Sequence, residues 1–283
     1  MKVTLIYNPD AGSDNQPTGD QILKLIRDAG HSAVLQLSKV IGWEKALERA
    51  ADVVAVAGGD GIVGKVAKHA IGKGAPLAIL PMGTANNVAN ALGLADKPLD
   101  QLIAGWTGAR RREFDVGAVS GPWGSTYFIE GLGMGLFTDT MSRLEARKNI
   151  DIAHHNLTSK KLASVLEIMN LRLKRCPAIR LRLLLDDRDL SGEYVLAETM
   201  NIPYVGPNLC LAPSADPGDG LLDVVLVLDD EREQLKRYLS DRLEGKSDCA
   251  VLNVYKGRHL RIECDCFPVH IDDDLRMKNG PPT

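Results

Sequence analysis

The chain has 283 residues, of which 45% are apolar, and a formal net charge of −3 at pH 7. This length and apolar content suffice for two domains, each with its own core. The net charge excludes a general nucleic-acid binder, which would need a basic surface to neutralise phosphates. No apolar stretch approaches the roughly 18 residues of a membrane-spanning helix and no signal peptide is evident, so the sequence predicts a cytoplasmic protein.

Strand and helix patterns alternate through the first third of the chain. Short apolar runs predict strands at 2–7, 33–37, 53–57 and 77–80, and apolar residues at helical spacing predict helices at 18–29, 43–50 and 62–71. Thr18 and Gln21 have the spacing of a capping box, and Gly30 ends the first helix. This alternation predicts a doubly wound α/β domain over residues 1–112.

Strand patterns dominate the chain from residue 113 onward. They predict strands at 113–119, 126–131, 179–185, 194–199 and 222–228. A second, mainly β domain of the β-sandwich type is therefore expected over residues 113–267. One helix, predicted at 159–175, carries an apolar stripe that faces either the core of this domain or a membrane surface.

Two glycine-rich loops follow the third and fourth predicted strands. The first is Gly58-Gly59-Asp60-Gly61, and the second runs from Pro81 to Asn90, with Thr84 placed as the N-cap of a short helix. Glycine lets backbone N–H groups turn toward an anion, and the helix that follows presents its positive end. Because the carboxyl ends of parallel strands share one edge of a sheet, both loops are expected to face one crevice and to bind phosphate.

Two other phosphate-binding motifs match the first loop only in part. Gly59, Gly61 and Gly64 fit the dinucleotide pattern, but the carboxylate that would hold the ribose is missing further along. The P-loop pattern lacks its Ser or Thr, since Val66 follows Lys65. Neither motif therefore explains the loop.

Asp60 is the unusual member of the first loop. A carboxylate beside a phosphate is repulsive unless a cation lies between them or the carboxylate accepts a proton from a nucleophile. Alternatively, Asp60 caps the helix that begins near Ile62, and the glycines only form a tight turn.

The two loops together resemble the catalytic domain of diacylglycerol kinases and their bacterial lipid kinase and sphingosine kinase relatives. Five segments carry the resemblance, in the family's order. They are Asn8-Pro9-Asp10-Ala11-Gly12, Gly58-Gly59-Asp60-Gly61, Gly83-Thr84-Ala85-Asn86, Asp115-Val116-Gly117 and Asp219-Gly220-Leu221-Leu222-Asp223. The resemblance implies an enzyme that uses ATP and Mg²⁺ to phosphorylate the hydroxyl of a diacylglycerol-like or sphingosine-like lipid.

The resemblance also implies roles for single residues. The nucleotide would be bound by Asn8, Gly58, Gly59, Gly61, Gly83, Thr84 and Asn86. Asp60 would organise Mg²⁺ or accept the substrate proton, and Asp115 would join a network that links the domains. A structural metal ion is implied near the Asp-Gly-x-x-Asp signature, with Asp216 and Asp219 as its oxygen ligands. A simple turn is the alternative interpretation of this loop.

The last segment, 268–283, is expected to return to the first domain, as it does in the family. Its Asp272-Asp273-Asp274 stands where the family has Asp-Gly-Glu, so Asp274 replaces the glutamate that acts as base toward the lipid hydroxyl. The shorter side chain matters, because a base must lie within hydrogen-bond distance of its proton. A solvated acidic tail is the alternative.

Two further departures from the family pattern weaken metal and phosphate binding. Asn87 replaces a carboxylate that would help to hold Mg²⁺, and neither Lys nor Arg follows Gly12 directly. Two alternatives to a lipid kinase are therefore retained. One is an NAD kinase, which shares the Gly-Gly-Asp-Gly loop, and the other is a nucleotide-binding regulator with weak or no turnover.

The expected partners follow from the implied activity. A lipid kinase would contact the inner face of the membrane transiently, without binding nucleic acid, and a homodimer is compatible with the sequence. The five cysteines, an odd number, do not indicate a disulfide framework and fit a reducing compartment.

Overall fold

The computed structural model describes residues 1–12, 15–148, 158–264 and 268–276. The chain divides into two compact units, Met1–Glu113 and Phe114–Thr283. The first contains a parallel sheet with helices, and the second contains an antiparallel sheet with fewer helices. The predicted fold class is thereby confirmed. Within the described part of the chain, none of the helices has the length and apolar content that a membrane span requires.

The first unit is built on a four-stranded parallel sheet in the order β2-β1-β3-β4. Its elements are β1 (Lys2–Tyr7), α1 (Gly19–Asp28), β2 (Ser32–Leu37), a 3-10 helix (Trp43–Glu48), β3 (Val53–Gly58), α2 (Asp60–Ala70), β4 (Leu77–Pro81), α3 (Asn87–Ala91), α4 (Leu99–Ala104) and a 3-10 helix (Gly105–Gly108). The chain runs from β1 outward to β2 and then back across β1 to β3. The topological switch point, where α/β proteins bind ligands, therefore lies between β1 and β3.

The core of the first unit forms between the sheet and α1. Leu5 of β1 packs with Ile22 and Ile26 of the helix, and all three side chains are fully buried. The capping box that starts this helix is present: the Thr18 N–H donates to Gln21 Oε1 (2.8 Å) and the Gln21 N–H donates to Thr18 Oγ1 (3.3 Å). Local capping and core burial thus agree on where α1 begins.

The helix predicted at 43–50 is shorter in the structure. Only Trp43–Glu48 is helical, in the tighter 3-10 form, after Gly42 with φ 78°. Trp43, Ala46 and Leu47 are buried, so the apolar spacing that predicted a helix reflects real packing. The helix ends at Glu48 because the backbone of Arg49 is already extended (ψ 137°).

The second unit is antiparallel, with a main strand order of β14-β13-β10-β7-β16-β17. Its strands are β5 (Gly117–Gly121), β6 (Gly124–Phe128), β7 (Gly131–Gly135), β8 (Ile179–Leu185), β9 (Arg188–Asp189), β10 (Gly192–Met200), β11 (Tyr204–Val205), β12 (Leu209–Cys210), β13 (Leu222–Leu228), β14 (Asn253–Gly257), β15 (Leu260–Glu263), β16 (Val269–Ile271) and β17 (Asp274–Arg276). Its helices are α5 (Leu136–Lys148), α6 (Thr158–Leu173) and α7 (Arg232–Leu243), with a 3-10 helix at Asp229–Glu231.

The apolar stripe of α6 faces the core of the second unit. Leu166, Met169 and Leu173 are buried in one cluster with Leu235 and Leu239 of α7. Of the two interpretations of this helix, packing against the core is the one observed. The helix thereby covers one face of the sheet.

The carboxyl-terminal segment belongs to the sheet of the second unit over residues 269–276. Ile271 of β16 pairs with Leu132 of β7, and both Val269 and Ile271 are buried. The sequence analysis instead assigned 268–283 to the first domain. The difference arises because Val269 and Ile271 supply the alternating apolar pattern of a strand, which the acidic triplet after them concealed. Residues 277–283 lie outside the described part.

Cys210 and Cys249 form a disulfide across 39 residues of sequence. The short strand β12 brings Cys210 beside Cys249, and the Ala250 N–H donates to Cys210 O (2.8 Å). The expectation of uniformly reduced cysteines is wrong for this pair, because a cysteine count does not reveal which side chains the fold brings together. Cys176 is buried as a free thiol, and Cys266 lies outside the described residues.

Candidate active site

Three loops lie together at the carboxyl edge of the parallel sheet in the first unit. The N–H of Asn8, after β1, donates to Ala57 O (3.0 Å), and the N–H of Met82, after β4, donates to Gly58 O (2.9 Å). A Cβ added to Gly12 would lie 2.4 Å from Met82 O. The loops after β1, β3 and β4 therefore form one cluster beside the switch point.

Gly59 and Gly83 bring the two glycine loops into direct contact. A Cβ built on Gly83 would lie 2.3 Å from Gly59 Cα, and a Cβ built on Gly59 would lie 2.9 Å from Gly83 Cα. Gly58 is similarly restricted, since a Cβ there would lie 2.3 Å from Ile62 Cγ2. At these positions both loops consist of main chain without side chains. Concavities formed by such main chain are typical anion-binding sites.

Asn86 shapes the second loop. Its backbone is left-handed (φ 52°), a conformation that asparagine adopts more readily than most residues. Its Oδ1 accepts the Gly83 N–H (2.8 Å), and its Nδ2 donates to Gly83 O (3.0 Å). These two hydrogen bonds hold residues 83–86 in a turn, and α3 begins only after it, at Asn87. The prediction of Thr84 as the N-cap is therefore wrong, and Thr84 lies exposed within the loop.

Asp60 connects the two loops. It is the first residue of α2, yet its Oδ1 accepts the N–H of Val88 at the start of α3 (3.0 Å). Burial raises the pKa of the Asp60 carboxyl above its ordinary value, although backbone hydrogen bonds from Val88 and Asn87 act in the opposite direction. The carboxylate therefore caps the helix of the second loop and not, as the alternative interpretation had it, the helix that it begins.

We expect Gly83→Ala to destabilise the protein by about 1–3 kcal/mol, because its Cβ would meet backbone that has no room to move. Gly105→Ala is the matched control: a Cβ at Gly105 meets no atom within 4 Å, and its φ of −73° suits alanine. Thermal unfolding of both variants measures the difference. Equal melting temperatures would show that the two loops are not in contact.

Asp115 fixes the loop of the Asp-Gly-x-x-Asp signature within the second unit. Its Oδ2 accepts the Gly220 N–H (2.7 Å), and its own N–H donates to Pro217 O (2.5 Å). Asn201 Nδ2 donates to Asp115 O (2.9 Å) and to Ile129 O (2.9 Å). Two of the five family segments, distant in sequence, are thus joined by hydrogen bonds.

The carboxylates of Asp216 and Asp219 are both engaged in this loop. Asp216 Oδ1 accepts the Gly218 N–H (2.9 Å), and Asp219 Oδ1 accepts the Leu221 N–H (2.9 Å). The Lys256 ammonium lies 2.9 Å from Asp219 Oδ2. Over the residues that the structure describes, no group of three or more His, Cys, Asp and Glu side chains is arranged to hold a metal ion. A lysine beside Asp219 does not fit a bound divalent cation there.

Asp274 and Asp272 occupy different positions in the β16–β17 hairpin. Asp274 begins β17 with its side chain 56% exposed, and Arg276 Nη2 lies 3.3 Å from its Oδ2. Asp272 Oδ1, in contrast, accepts three successive backbone N–H groups, at 2.9–3.3 Å, from Ile129, Glu130 and Gly131. The sequence analysis did not assign a role to Asp272, which anchors the turn that presents Asp274.

His270, in strand β16 of this hairpin, forms a buried pair with Glu198 of β10. Both side chains are 0% exposed, and His270 Nε2 is 2.7 Å from Glu198 Oε2. A Cβ at Gly133 would lie 2.0 Å from that oxygen, so this glycine leaves the space through which Glu198 reaches across β7. His270 Nδ1 lies 3.0 Å from Asp272 O, so both ring nitrogens have acceptors and the imidazolium form is favoured.

The pKa of His270 follows from these contacts. Burial alone would lower it, but the negative charge and hydrogen bond of Glu198 outweigh burial and raise it above the ordinary value. Sequence reasoning missed this pair. The available signal was a glutamate directly after the apolar run of 194–197, since a carboxylate in a buried strand needs a partner.

Comparison with known proteins agrees with these features. The family model described as diacylglycerol kinase catalytic domain matches residues 2–119, and the model described as YegS C-terminal NAD kinase beta sandwich-like domain matches residues 141–279. The diacylglycerol kinase of Mycobacterium tuberculosis (strain ATCC 25618 / H37Rv) is 28% identical over 97% of this chain and 89% of its own length. The diacylglycerol kinase of Bacillus subtilis (strain 168) is 25% identical over 87% and 80%, respectively.

The solved structures agree at the level of the fold. A crystal structure of a diacylglycerol kinase from Bacillus anthracis str. Sterne superposes with a TM-score of 0.68 at 21% identity, covering 97% of this chain and 90% of that one. The two family models fall on the two units of the structure in the expected order. Residues 2–119 therefore belong to the diacylglycerol kinase catalytic-domain family, and residues 141–279 match the YegS-type carboxyl-terminal domain.

Proposed function

We propose that the protein transfers the γ-phosphoryl group of ATP, bound as its Mg²⁺ complex, to the hydroxyl of a diacylglycerol-like or sphingosine-like lipid. The observation that carries this proposal is the contact between the Gly59 and Gly83 loops, beside the switch point of the parallel sheet. Phosphoryl transfer depends chiefly on positioning and on stabilising charge around the γ-phosphate. The start of α2 and the exposed residues Gly61 and Thr84 would supply both.

The proposed roles are those that the family resemblance implies. The phosphates would be bound by the backbone of Gly58, Gly59, Gly61 and Gly83 and by the Thr84 hydroxyl. Asn8 and Asn86 would hold the shape of their loops around the nucleotide. Asp60 would organise Mg²⁺ or accept the proton of the lipid hydroxyl, Asp274 would be the alternative base, and Asp115 would position the signature loop.

A cavity in the second unit supports a lipid acceptor. It has a volume of about 570 Å³, within the range of small-molecule sites, and lies between the β5–β6 hairpin and the sheet. Val119, Phe128, Leu132 and Met134 contribute an apolar lining suited to acyl chains. Transient contact with the inner membrane face, a cytoplasmic location and a homodimer belong to the same proposal.

The test is an acceptor competition. The protein is incubated with labelled ATP and Mg²⁺ and with diacylglycerol or sphingosine in micelles, or with NAD instead of lipid. Label transferred to lipid is the expected result. Transfer to NAD alone would replace the proposal with an NAD kinase, the second candidate that the carboxyl-terminal family model suggests. Binding of ATP without transfer to any acceptor would indicate a regulator.

We expect Val119→Trp to raise the KM for the lipid about tenfold and to leave the KM for ATP unchanged, because the indole would fill part of the cavity. Val251→Trp is the matched control, since Val251 is 83% exposed and does not line the cavity. Steady-state kinetics with micellar lipid measure both constants. An unchanged lipid KM in Val119→Trp would place the acceptor elsewhere.

A further inference from the structure

Lys256 occupies the centre of a set of oxygen atoms in the second unit. It pairs directly with Asp223 across strands β13 and β14. Its Nζ lies 2.9 Å from Asp219 Oδ2, 3.3 Å from Asp223 Oδ2 and 3.2 Å from Ser214 O. Two carboxylates and one backbone carbonyl are oxygen ligands of the kind that Ca²⁺ and Mg²⁺ bind.

Burial of Asp223 favours a cation at this position. The Asp223 side chain is only 1% exposed, and its Oδ1 has no hydrogen-bond partner among the described residues. Asp219, 25% exposed, places a second carboxylate on the same ammonium. Two neighbouring carboxylates, one of them removed from water, repel each other unless a positive charge lies between them.

The ionisation of Asp223 and Lys256 is consistent with this arrangement. Burial raises the pKa of the Asp223 carboxyl, even though the Lys256 charge acts in the opposite direction. Burial alone would lower the pKa of Lys256, but its hydrogen bond to Asp219 and the charges of Asp223 and Asp219 outweigh burial and raise it. The ammonium is therefore charged at neutral pH.

We propose that the Lys256 ammonium takes the place of a divalent cation in the loop that joins Ser214 to Asp223. It neutralises Asp219 and Asp223 and ties the loop to β14, so the loop folds without the metal ion that the family resemblance implies. A metal ion bound to the same oxygens, at roughly 2.0–2.6 Å, would occupy the space of Nζ, and the two cations exclude each other. The inference does not depend on whether the protein binds a nucleotide or a lipid.

The test measures Ca²⁺ and Mg²⁺ binding by isothermal titration calorimetry and thermal unfolding, without nucleotide or lipid. We expect the wild-type protein to show no cation effect on its melting temperature. Lys256→Met should melt lower than wild type and should gain about 2–4 °C in millimolar Ca²⁺. Lys246→Met removes an exposed lysine that pairs with Glu244, and it should respond as the wild type does.

A second variant shows where the gained cation binds. Lys256→Met combined with Asp219→Asn should lose the Ca²⁺ response, because one of the two carboxylates is gone. If Lys256→Met does not fold in the absence of a cation, recovery in Ca²⁺ supports the inference and failure to recover contradicts it. The inference would be overturned if Ca²⁺ stabilised the wild-type protein and the Asp219→Asn substitution abolished that stabilisation. None of these outcomes depends on kinase activity.

Discussion

Asp60→Asn is expected to lower phosphoryl transfer by about 10²–10⁴-fold while leaving the fold intact. The amide keeps one oxygen that can accept the Val88 N–H, so the contact between the two loops is retained. What the variant loses is the negative charge that would organise Mg²⁺ or accept a proton. Because burial already raises the pKa of this carboxyl, removing its charge should not lower the melting temperature at pH 7.

The measurement combines turnover of labelled ATP with thermal unfolding. Asp100→Asn, in the first turn of α4, is the matched control and should behave as the wild type in both assays. Asp60→Ala separates structure from chemistry, because it leaves the N–H groups at the start of α3 without an acceptor, at a cost of about 1–2 kcal/mol. Transfer by Asp60→Asn at the wild-type rate would remove the catalytic role of this carboxylate.

Glu198→Gln is expected to have the largest effect on stability, about 3–5 kcal/mol, because it leaves the buried His270 without its counter-charge. Urea unfolding measures the change in the free energy of unfolding. The matched control is Glu193→Gln, which breaks an ion pair with Arg180 on the surface, where both side chains are more than half exposed. That change should cost less than about 1 kcal/mol.

The effect of Glu198→Gln should depend on pH in a defined direction. The pKa of His270 is raised in the folded state above its ordinary value of 6.5, so the folded protein binds this proton more tightly than the unfolded chain. The stability that the pair contributes is therefore complete below pH 6.5 and is lost as the pH rises through the raised pKa. A difference between wild type and variant that grew with rising pH would contradict the assignment.

Local sequence signals were sufficient for most of the first unit. The alternation of apolar runs and helical periodicity gave its four strands, and the Thr18 capping box fixed the start of α1. In the second unit, β7 was not predicted because its sequence, Gly-Leu-Gly-Met-Gly, has low strand propensity. Pairing with β10 and β16 makes it a strand. The fold overrides propensity where neighbours supply the hydrogen bonds.

The candidate site was predictable where its chemistry is carried by consecutive residues. The glycine loops and the segments that contain Asp60 and Asp115 are local patterns, and the structure brings the loops together. Contacts across strands were not predictable. His270 and Glu198 are 72 residues apart, and neither they nor Lys256 and Asp223 form a motif that one segment reveals. Only the pairing of strands shows such partners.

The approach of Gly59 to Gly83 has a mechanical consequence. Where two stretches of main chain touch through bare Cα atoms, there is no side chain between them that could rotate and absorb a displacement. Neither stretch can move toward the other, and a ligand that pushes one in that direction must push both. If a ligand that binds one of these two loops slows the hydrogen exchange of its backbone amides, the amides of the other loop should therefore exchange more slowly as well.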